Sequence, residues 1–567
     1  MKRGLGLFLF LLLAGCAHIA APKEPVHVVI VGTTDVHGSF AGRTDKGVRS
    51  GGLAMLKAYV DALRAADPGR VVLVDSGDLF QGTLESNTFE GEPVVRGYNA
   101  LGYAAAAVGN HEFDYGPVGP ASVAQKPGDD ALGALKKNAA NAKFAFLSAN
   151  LTEKATGATP SWVKRAILVT AGDAKVGIIG LSTPETPKVT MAANVVSLAF
   201  GDPVEATMRE AADLRKRGAD AVIVIAHMGG RCGDLADPNV TTSCEVDQEA
   251  MRFLNALPKG TIDAYFGGHT HQQMRHVING VPAMQALAYS REFSTLDLWI
   301  DPAAHKTVRF VQEPHTALCS QVYSGTEQCD TRNAPKDAAL VPRVFHDETI
   351  AEDAQMTAMF KPYLEQVASI RNQPLHITIG SPVKRNYLRE SAAGNLLTDA
   401  LRAATGADIA IFNSGGIRTD LPARELIYND IFEMSPFDNY PAVVTMTGAQ
   451  LRDMLRIMSN GESGILQISG ARYTVDMSRP KTDRVTEISV DPNATYRVAM
   501  PDFLAAGGEG LASVFSQIPA ANIKVDQSKP IRDLLIPALQ KMPQPIEAKV
   551  EGRINVINAP PPASSKD

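Results

Sequence analysis

Residues 26–38 read VHVVIVGTTDVHG, a run of valines and an isoleucine that closes on Asp35, His37 and Gly38. An apolar, β-branched run this continuous suits a strand covered on both faces rather than one with a wet side. The same grammar recurs in RVVLVDSGD (70–78), AAAAVGNHEFD (104–114), KFAFLSAN (143–150), KVGIIGLST (175–183), AVIVIAHMGG (221–230) and IDAYFGGHTH (262–271), with helix-like stretches between. That pattern predicts helix-covered sheets of the α/β class, in which ligands gather beyond the carboxyl ends of the strands. Five of the seven runs end in residues able to bind metal: Asp35 with His37, Asp78, Asn110 (followed by His111 and Asp114), His227, and His269 with His271. Taken singly, each has a bland reading. A histidine after a strand is commonly a satisfied core or loop residue, and Asp35 or Asp78 could cap a helix. Collected on one rim they are a different object. A carboxylate able to bridge, several imidazoles and an amide oxygen are what a two-ion hydrolytic centre needs, its ions about 3.5–4 Å apart.

The surrounding chain has 567 residues, 45% hydrophobic and 20% charged, an ordinary globular composition with room for at least two domains. Its 55 Lys and Arg against 61 Asp and Glu give a formal charge of -6, which argues against duplex nucleic acid as a partner and leaves small anionic ligands. At the N-terminus Lys2 and Arg3 precede an apolar run too short to span a bilayer, ending in Leu13-Ala14-Gly15-Cys16. That ending looks like a bacterial lipobox, so residues 1–15 read as a lipoprotein signal peptide, Cys16 as the lipidation site and 16–25 as a tether. A plain secretory signal cut near Ala20-Ala21 is the alternative. Several acyl chains would anchor stably where one is marginal, and Ala17 after the cysteine points to the outer membrane. The expected place is thus the periplasm or cell surface. The other cysteines, Cys232, Cys244, Cys319 and Cys329, should pair in an oxidising compartment and permit three connectivities. Local pairing of 232 with 244 and 319 with 329 would close two short loops, each worth up to about 3 kcal/mol. Neither pair has the CxxC spacing of a zinc ribbon or redox motif, so they read as staples.

Further on, a helix-like stretch covers 347–371, Pro374 follows, and the remainder to about 557 mixes short strands with amphipathic helices near 390–404 and 447–459. The tail, Pro-rich and polar, is expected to be disordered.

The blocks DxHG (35–38), GDxxQG (77–82), GNHEFDYG (109–116), AHMGG (226–230) and GGHTH (267–271) resemble the signature of the calcineurin-like metallophosphoesterases. More narrowly they resemble the 5′-nucleotidase/UDP-sugar hydrolase family, through Gly394-Asn395-Leu396, FNSGGIR (412–418), SPFDN (435–439) and FLAAGGEG (503–510). The resemblance covers most of the chain beyond the leader. It implies an N-terminal metallophosphoesterase β-sandwich flanked by helices (α/β/β/α) over 26–335, a linker helix within 336–372, a smaller α/β substrate-binding domain over 373–557, and a tail, 558–567. It also implies two divalent ions, of Mn, Zn, Fe or Co: one on Asp35, His37, Asp78 and His271, the other on Asp78, Asn110, His227 and His269, with Asp78 bridging. In many nucleotidases of the family the position matching His271 is Gln or Asn, a change of metal preference more than of mechanism. His111 would face the phosphate and Asp114 orient it, since an imidazolium can stabilise charge on the phosphoryl oxygens.

The reaction so implied is attack of metal-bound hydroxide on a terminal phosphate without a phosphoenzyme; Ser76, within DSGD, is the one weak candidate for a nucleophile on the rim. Matching the family's nucleoside pocket are Asn413, Arg418, Phe437, Asn439, Phe503 and Glu509. Two phenylalanine rings could sandwich a base at about 1–3 kcal/mol per stacked base, and the Arg418 fork could meet a phosphate. Viewed alone, either ring could equally be core. Two departures stand out: the family's ribose-contacting Asp is Glu509, and an Arg upstream of the Gly-Asn-Leu block falls on Tyr387, with Lys384, Arg385 and Arg389 nearby. The leading expectation is a 5′-nucleotidase releasing nucleoside and phosphate. UDP-sugar hydrolysis, a 2′,3′-cyclic phosphodiesterase/3′-nucleotidase or a thiosulfohydrolase on the same scaffold are the alternatives, and a nonenzymatic nucleoside-binding lipoprotein is the remote one.

Overall fold

The computed structural model describes residues 24–331, 333–459 and 464–559; the expected signal peptide, Cys16, most of the expected tether and the tail from 560 lie outside them. The seven apolar runs all become strands. One sheet is built on β1 (Val26–Thr33), β2 (Val71–Asp75), β3 (Ala105–Ala107) and β4 (Ala145–Leu147), parallel to one another. A second holds β5 (Ala166–Ala171), β6 (Ala174–Ser182), β7 (Ala221–His227) and β8 (Ala264–Phe266), of which the last three run parallel. β9 (Met274–Ile278) and β10 (Val281–Gln285) extend this second sheet, while β11 (Glu292–Asp301) and β12 (Lys306–Gln312) return to the first, β11 lying antiparallel to β1 from Val26↔Ile300 to Gly32↔Ser294.

The two sheets stack face to face, which explains the unbroken apolar runs. Along β1, Val28 and Ile30 point between the sheets, where they meet Val74, Ile178, Ile223, Ile225 and Phe266. Val29 and Val31 point the other way, onto helices α1 (Leu53–Ala66) and α2 (Glu92–Leu101) through Met55, Tyr59, Val94 and Tyr98. In β7 the alternation repeats: Ile223 and Ile225 face inward, Val222 and Val224 meet Leu214 and Phe253 of α3 (Pro203–Lys216) and α4 (Glu249–Ala256). Each such side chain removed from water contributes about 1.5–3 kcal/mol, and a strand held on both faces cannot slip. Its end is therefore a fixed point.

The helix joining the halves, α5 (Ala354–Arg371), is shorter than the stretch read from sequence. It starts where the Asp353 carboxylate accepts the Met356 N–H at 2.7 Å; upstream, Leu340–Pro342, Val344–Phe345 and Glu348–Thr349 are short strands instead. Met356, Phe360 and Tyr363 bury α5 on the first half, and Val367 meets Phe432 of the second. That second half is a five-stranded sheet of β13 (Ile409–Asn413), β14 (Pro441–Thr447), β15 (Leu466–Ser469), β16 (Thr495–Pro501) and β17 (Ile523–Val525), in the order β15-β13-β16-β14-β17. α6 (Ala392–Thr405) and α8 (Ile531–Gln540) cover one face, α7 (Gly448–Met458) the other. Both expected amphipathic helices are present, started by Ser391 over Gly394 and by a Thr447/Gln450 capping box. Among the described residues no helix is long and apolar enough to cross a membrane. The cysteines pair locally, 232 with 244 and 319 with 329.

Candidate metal centre and substrate cleft

Five short loops leave the carboxyl ends of β1, β2, β3, β7 and β8 on one side of the sandwich, and their backbones are unusual. Asp35 (φ 51°), His37 (48°), Asp78 (60°), His269 (78°) and His271 (54°) are all left-handed. Such conformations cost on the order of 1–3 kcal/mol each and gather at functional sites. Cross-loop hydrogen bonds hold them: Asp35 N–H donates to the Gly77 carbonyl and His37 N–H to that of Asp78, both at 2.9 Å. The packing leaves no room for larger neighbours. A Cβ on Gly109 would stand 2.2 Å from Asp78 Oδ1, and one on Gly268 would stand 2.2 Å from Thr34 Oγ1.

The side chains converge in two groups, Asp35/His37/His271 and Asp78/His227/His269, the ligand atoms within each lying within 4.8 Å of one another. What faces what is informative. His37 Nδ1 meets the Gln81 carbonyl at 2.7 Å and His227 Nδ1 that of Ser76 at 2.9 Å; a carbonyl only accepts, so each Nδ1 carries the hydrogen. The Nε2 atoms then turn into the clusters: His37 Nε2 lies 2.9 Å from His271 Nε2, and His227 Nε2 lies 3.0 Å from Asp78 and 3.1 Å from Asn110 Oδ1. The Asn110 amide is turned that way because its Nδ2 donates to the Val189 carbonyl at 3.1 Å. Imidazole nitrogens, carboxylates and an amide oxygen that converge in burial form a donor set for cations. Protons satisfy the cluster unevenly. Burial opposes charge on His227, yet the Asp78 carboxylate overrides it and raises that imidazole to about 10. Burial and then the charge of His227 push His269 down to about 3. The donor set fits two divalent ions.

His111 and Asp114 lie beside this centre on a single helical turn, joined from Nδ1 to Oδ2 at 2.5 Å, and the His111 backbone N–H donates to Asp78 Oδ1 at 2.8 Å. Burial disfavours a charged His111, but Asp114 and Asp78 outweigh it and raise the group above its ordinary value. Ser76 is buried and its hydroxyl donates to the Phe266 carbonyl at 3.0 Å.

The second half of the chain closes over the centre. Arg418 Nη2 lies 3.2 Å from His37 Nε2, and its guanidinium lies 5.7 Å from the Phe437 ring, which stands 5.3 Å from that of His111. Asn413 Nδ2 donates to Glu509 Oε1 at 3.1 Å. Asn413, Arg418, Phe437, Asn439, Phe503 and Glu509 all line one cleft of about 1580 Å³ with Asp78, Asn110, His111, Asp114, His269 and His271. Asp35, His37 and His227 are buried at its floor. Tyr387, where an arginine was expected, is a phenol that burial and Glu509 lift to about 12, with Arg231, Arg418 and Arg385 around it.

Three participants escaped the sequence reading. Glu112, inside the GNHEFD block, accepts the N–H groups of Asp78 (2.9 Å), Leu79 and Gly109 (both 2.6 Å), tying two ligand loops together. Tyr289 (φ 65°) donates its N–H to the Asp35 carbonyl at 2.7 Å and sets its ring 5.4 Å from both His37 and His271. Thr190 donates to Asp114 Oδ1 at 2.8 Å. An acidic residue inside a motif was the available signal for Glu112; nothing in spacing marks the other two.

Residues 28–273 match the calcineurin-like phosphoesterase family, and 366–517 match the 5′-nucleotidase, C-terminal domain family. The chain is 26% identical over 564 residues to a 5′-nucleotidase of Vibrio cholerae, covering 92% of this chain and 93% of the relative. It is 27% identical over 546 residues to protein UshA of Escherichia coli, covering 90% and 91%. Among solved structures, a 5′-nucleotidase precursor from Thermus thermophilus has the same fold, with a TM-score of 0.75 at 24% identity over 94% of this chain and 100% of that one. The sulfate thiohydrolase SoxB of Thermus thermophilus also shares it, with a TM-score of 0.69 at 16% identity over 95% and 98%.

Proposed function

Since the chain belongs to the calcineurin-like phosphoesterases that carry a 5′-nucleotidase C-terminal domain, we propose that this metal-dependent phosphoester hydrolase releases nucleoside and phosphate from nucleoside 5′-monophosphates. The observation that carries the reading is one juxtaposition: two ligand clusters open onto the His111–Asp114 pair, while Arg418 and Phe437 reach them from the second domain. Asp35, His37, Asp78 and His271 would hold one ion, and Asp78, Asn110, His227 and His269 the other. Divalent ions in such sites supply Lewis acidity and lower the pKa of water towards neutrality. The remaining work belongs to side chains. His111, its Nδ1 fixed by Asp114, holds a proton at Nε2 where charge grows on the phosphoryl oxygens. Arg418 meets the same oxygens with a charged fork. Phe437 and Phe503 take the base, and the Asn413–Glu509 pair takes ribose hydroxyls. With the Ser76 hydroxyl engaged by a carbonyl, water attacks phosphorus directly and no phosphoenzyme forms.

A second reading draws on the cleft itself, which at about 1580 Å³ exceeds the roughly 300–1,000 Å³ of ordinary ligand sites and is lined by Lys384, Arg385 and Arg389. A nucleoside diphosphate sugar would use that space and charge. Outside the catalytic question, the lipobox-like leader and the two disulfides support a chain that works in the periplasm or on the cell surface, tethered through Cys16 to the outer membrane. Loss of palmitate labelling in Cys16→Ala would test the tether. The activity is tested by reconstituting the lipid-free protein with Mn, Zn, Fe or Co and assaying AMP, UMP, UDP-glucose, 2′,3′-cyclic AMP and a thiosulfate ester. Turnover of AMP and UMP is expected; turnover of the thiosulfate ester alone would overturn the nucleotide reading.

A further inference from the structure

The catalytic pair is held from outside its own turn. Thr186–Val189 forms a short helix after β6, and Thr190 ends it. The Thr190 hydroxyl donates to Asp114 Oδ1 at 2.8 Å, and the other carboxylate oxygen, Oδ2, bonds His111 Nδ1 at 2.5 Å. One residue earlier, the Val189 carbonyl accepts from Asn110 Nδ2 at 3.1 Å. Farther along, Asn194 Nδ2 donates to the carbonyls of Phe113 and Ser122, both at 2.8 Å, so the same segment also grips the backbone of the His111–Phe113 turn. Thr190 is 2% exposed and Asn194 1%. The segment also packs on the Gly508–Gly510 turn that carries Glu509, with the Lys188 stem beside Gly510.

A carboxylate turns easily about its last torsion, which is broad and two-fold. Asp114 can aim His111 only if something fixes that torsion, and the Thr190 hydroxyl bonds the oxygen His111 does not use. We propose that Thr190 is a positioning residue for phosphoryl transfer: its hydroxyl locks Asp114, Asp114 locks the His111 ring, and Nε2 thereby keeps its aim at the phosphate. The proposal rests on the role given to His111 above. Although Thr190 lines the cleft, its hydroxyl bonds Asp114 and none of the proposed ion ligands, so it acts on the rate through Asp114 and His111.

The test uses the full metal-loaded chain with AMP and p-nitrophenyl phosphate, comparing wild type, Thr190→Val, Thr190→Ser, His111→Ala and the His111→Ala/Thr190→Val double variant. Thr190→Val removes one hydrogen bond to a charged group and loosens the ring's aim, so kcat should fall about 10- to 100-fold, with KM and bound metal unchanged. Thr190→Ser should restore most of the rate, and in the His111→Ala background Thr190→Val should cost less than about twofold. The proposal is overturned if Thr190→Val turns over at the wild-type rate, if it loses metal, if Thr190→Ser is equally slow, or if Thr190→Val slows His111→Ala by the same factor. Full activity in His111→Ala would instead bring down the reading of His111 itself, which the single variant reports separately.

Discussion

Gly109→Ala probes the shared ligand with a single methyl group. An alanine Cβ there would stand 2.2 Å from Asp78 Oδ1, 2.6 Å from Asp78 N and 2.9 Å from Asp78 Cγ, where ordinary contacts begin near 3.4 Å. Relief requires Asp78 to move by about 1 Å, since the Gly109 side is pinned by its N–H bond to Glu112 at 2.6 Å. That motion breaks the 2.8 Å bond from the His111 N–H to Asp78 Oδ1 and withdraws the carboxylate from His227. Overpacking of this kind costs about 1–3 kcal/mol of stability. A 1 Å error at a reacting centre costs about 100-fold in rate, so the loss of activity should exceed the loss of fold. The assay is paired: metal content and affinity by elemental analysis of dialysed protein, and kcat on p-nitrophenyl phosphate at saturating metal. Both ions should bind more weakly, because Asp78 is assigned to each. Weakening of one ion alone would refute the bridging role. Wild-type affinity and turnover would refute the shared-carboxylate centre altogether.

Three further outcomes follow from the same geometry. His111→Ala should lower kcat by roughly 10²–10⁴-fold while keeping both ions, because the ring contacts none of the ligand atoms through hydrogen bonds and the backbone N–H bond to Asp78 survives; metal analysis beside steady-state kinetics checks it, and unchanged turnover removes the role. Phe503→Ala should weaken use of AMP and spare p-nitrophenyl phosphate, as measured by kcat/KM on both, with equal losses counting against base stacking. Asp502 carries the pH prediction: burial raises its carboxyl to about 6 from an ordinary 3.8. Its proton is then kept by the folded state where the unfolded chain has released it, so the Asp502 contribution is intact below about pH 4 and is lost as pH rises through 6, by at most about 3 kcal/mol. Asp502→Asn should flatten that slope between urea midpoints at pH 4.5 and 7.5, and an unchanged slope would refute the assignment.

How far the sequence could be read depended on where each residue's role is decided. Strand positions were legible because Val28 to Val31 is apolar and β-branched without a break, the pattern of a short strand packed on both faces. The seven proposed ligand positions stood out in the sequence because each ends such a strand or follows it within a few residues. The start of α5 was not. The apolar spacing over 347–371 continues through Asp353, and only the cap bond to Met356 N–H shows where the helix begins. Tyr289 and Thr190 were hidden for a deeper reason. Each acts by a bond to a residue far away in sequence, Asp35 or Asp114, and no local periodicity encodes a contact of that kind.

The left-handed backbones connect the two levels. Five of the seven proposed ligands hold a conformation that each would leave if its loop were free, at a combined cost of several kcal/mol. A lone loop would relax. Here both ends of each loop are anchored in strands or packed elements of a double sheet, and Glu112 and the Gly77 and Asp78 carbonyls cross-brace neighbouring loops. The strain is therefore sustained by the sandwich, and cation binding would return part of it through the ligand atoms that those backbones bring together. This accounts for why a fold with so thick a core is used to hold so few atoms. It also sets an expectation about order: a substitution that loosens the core behind β1 or β2 should reach the metal centre before it reaches the global fold.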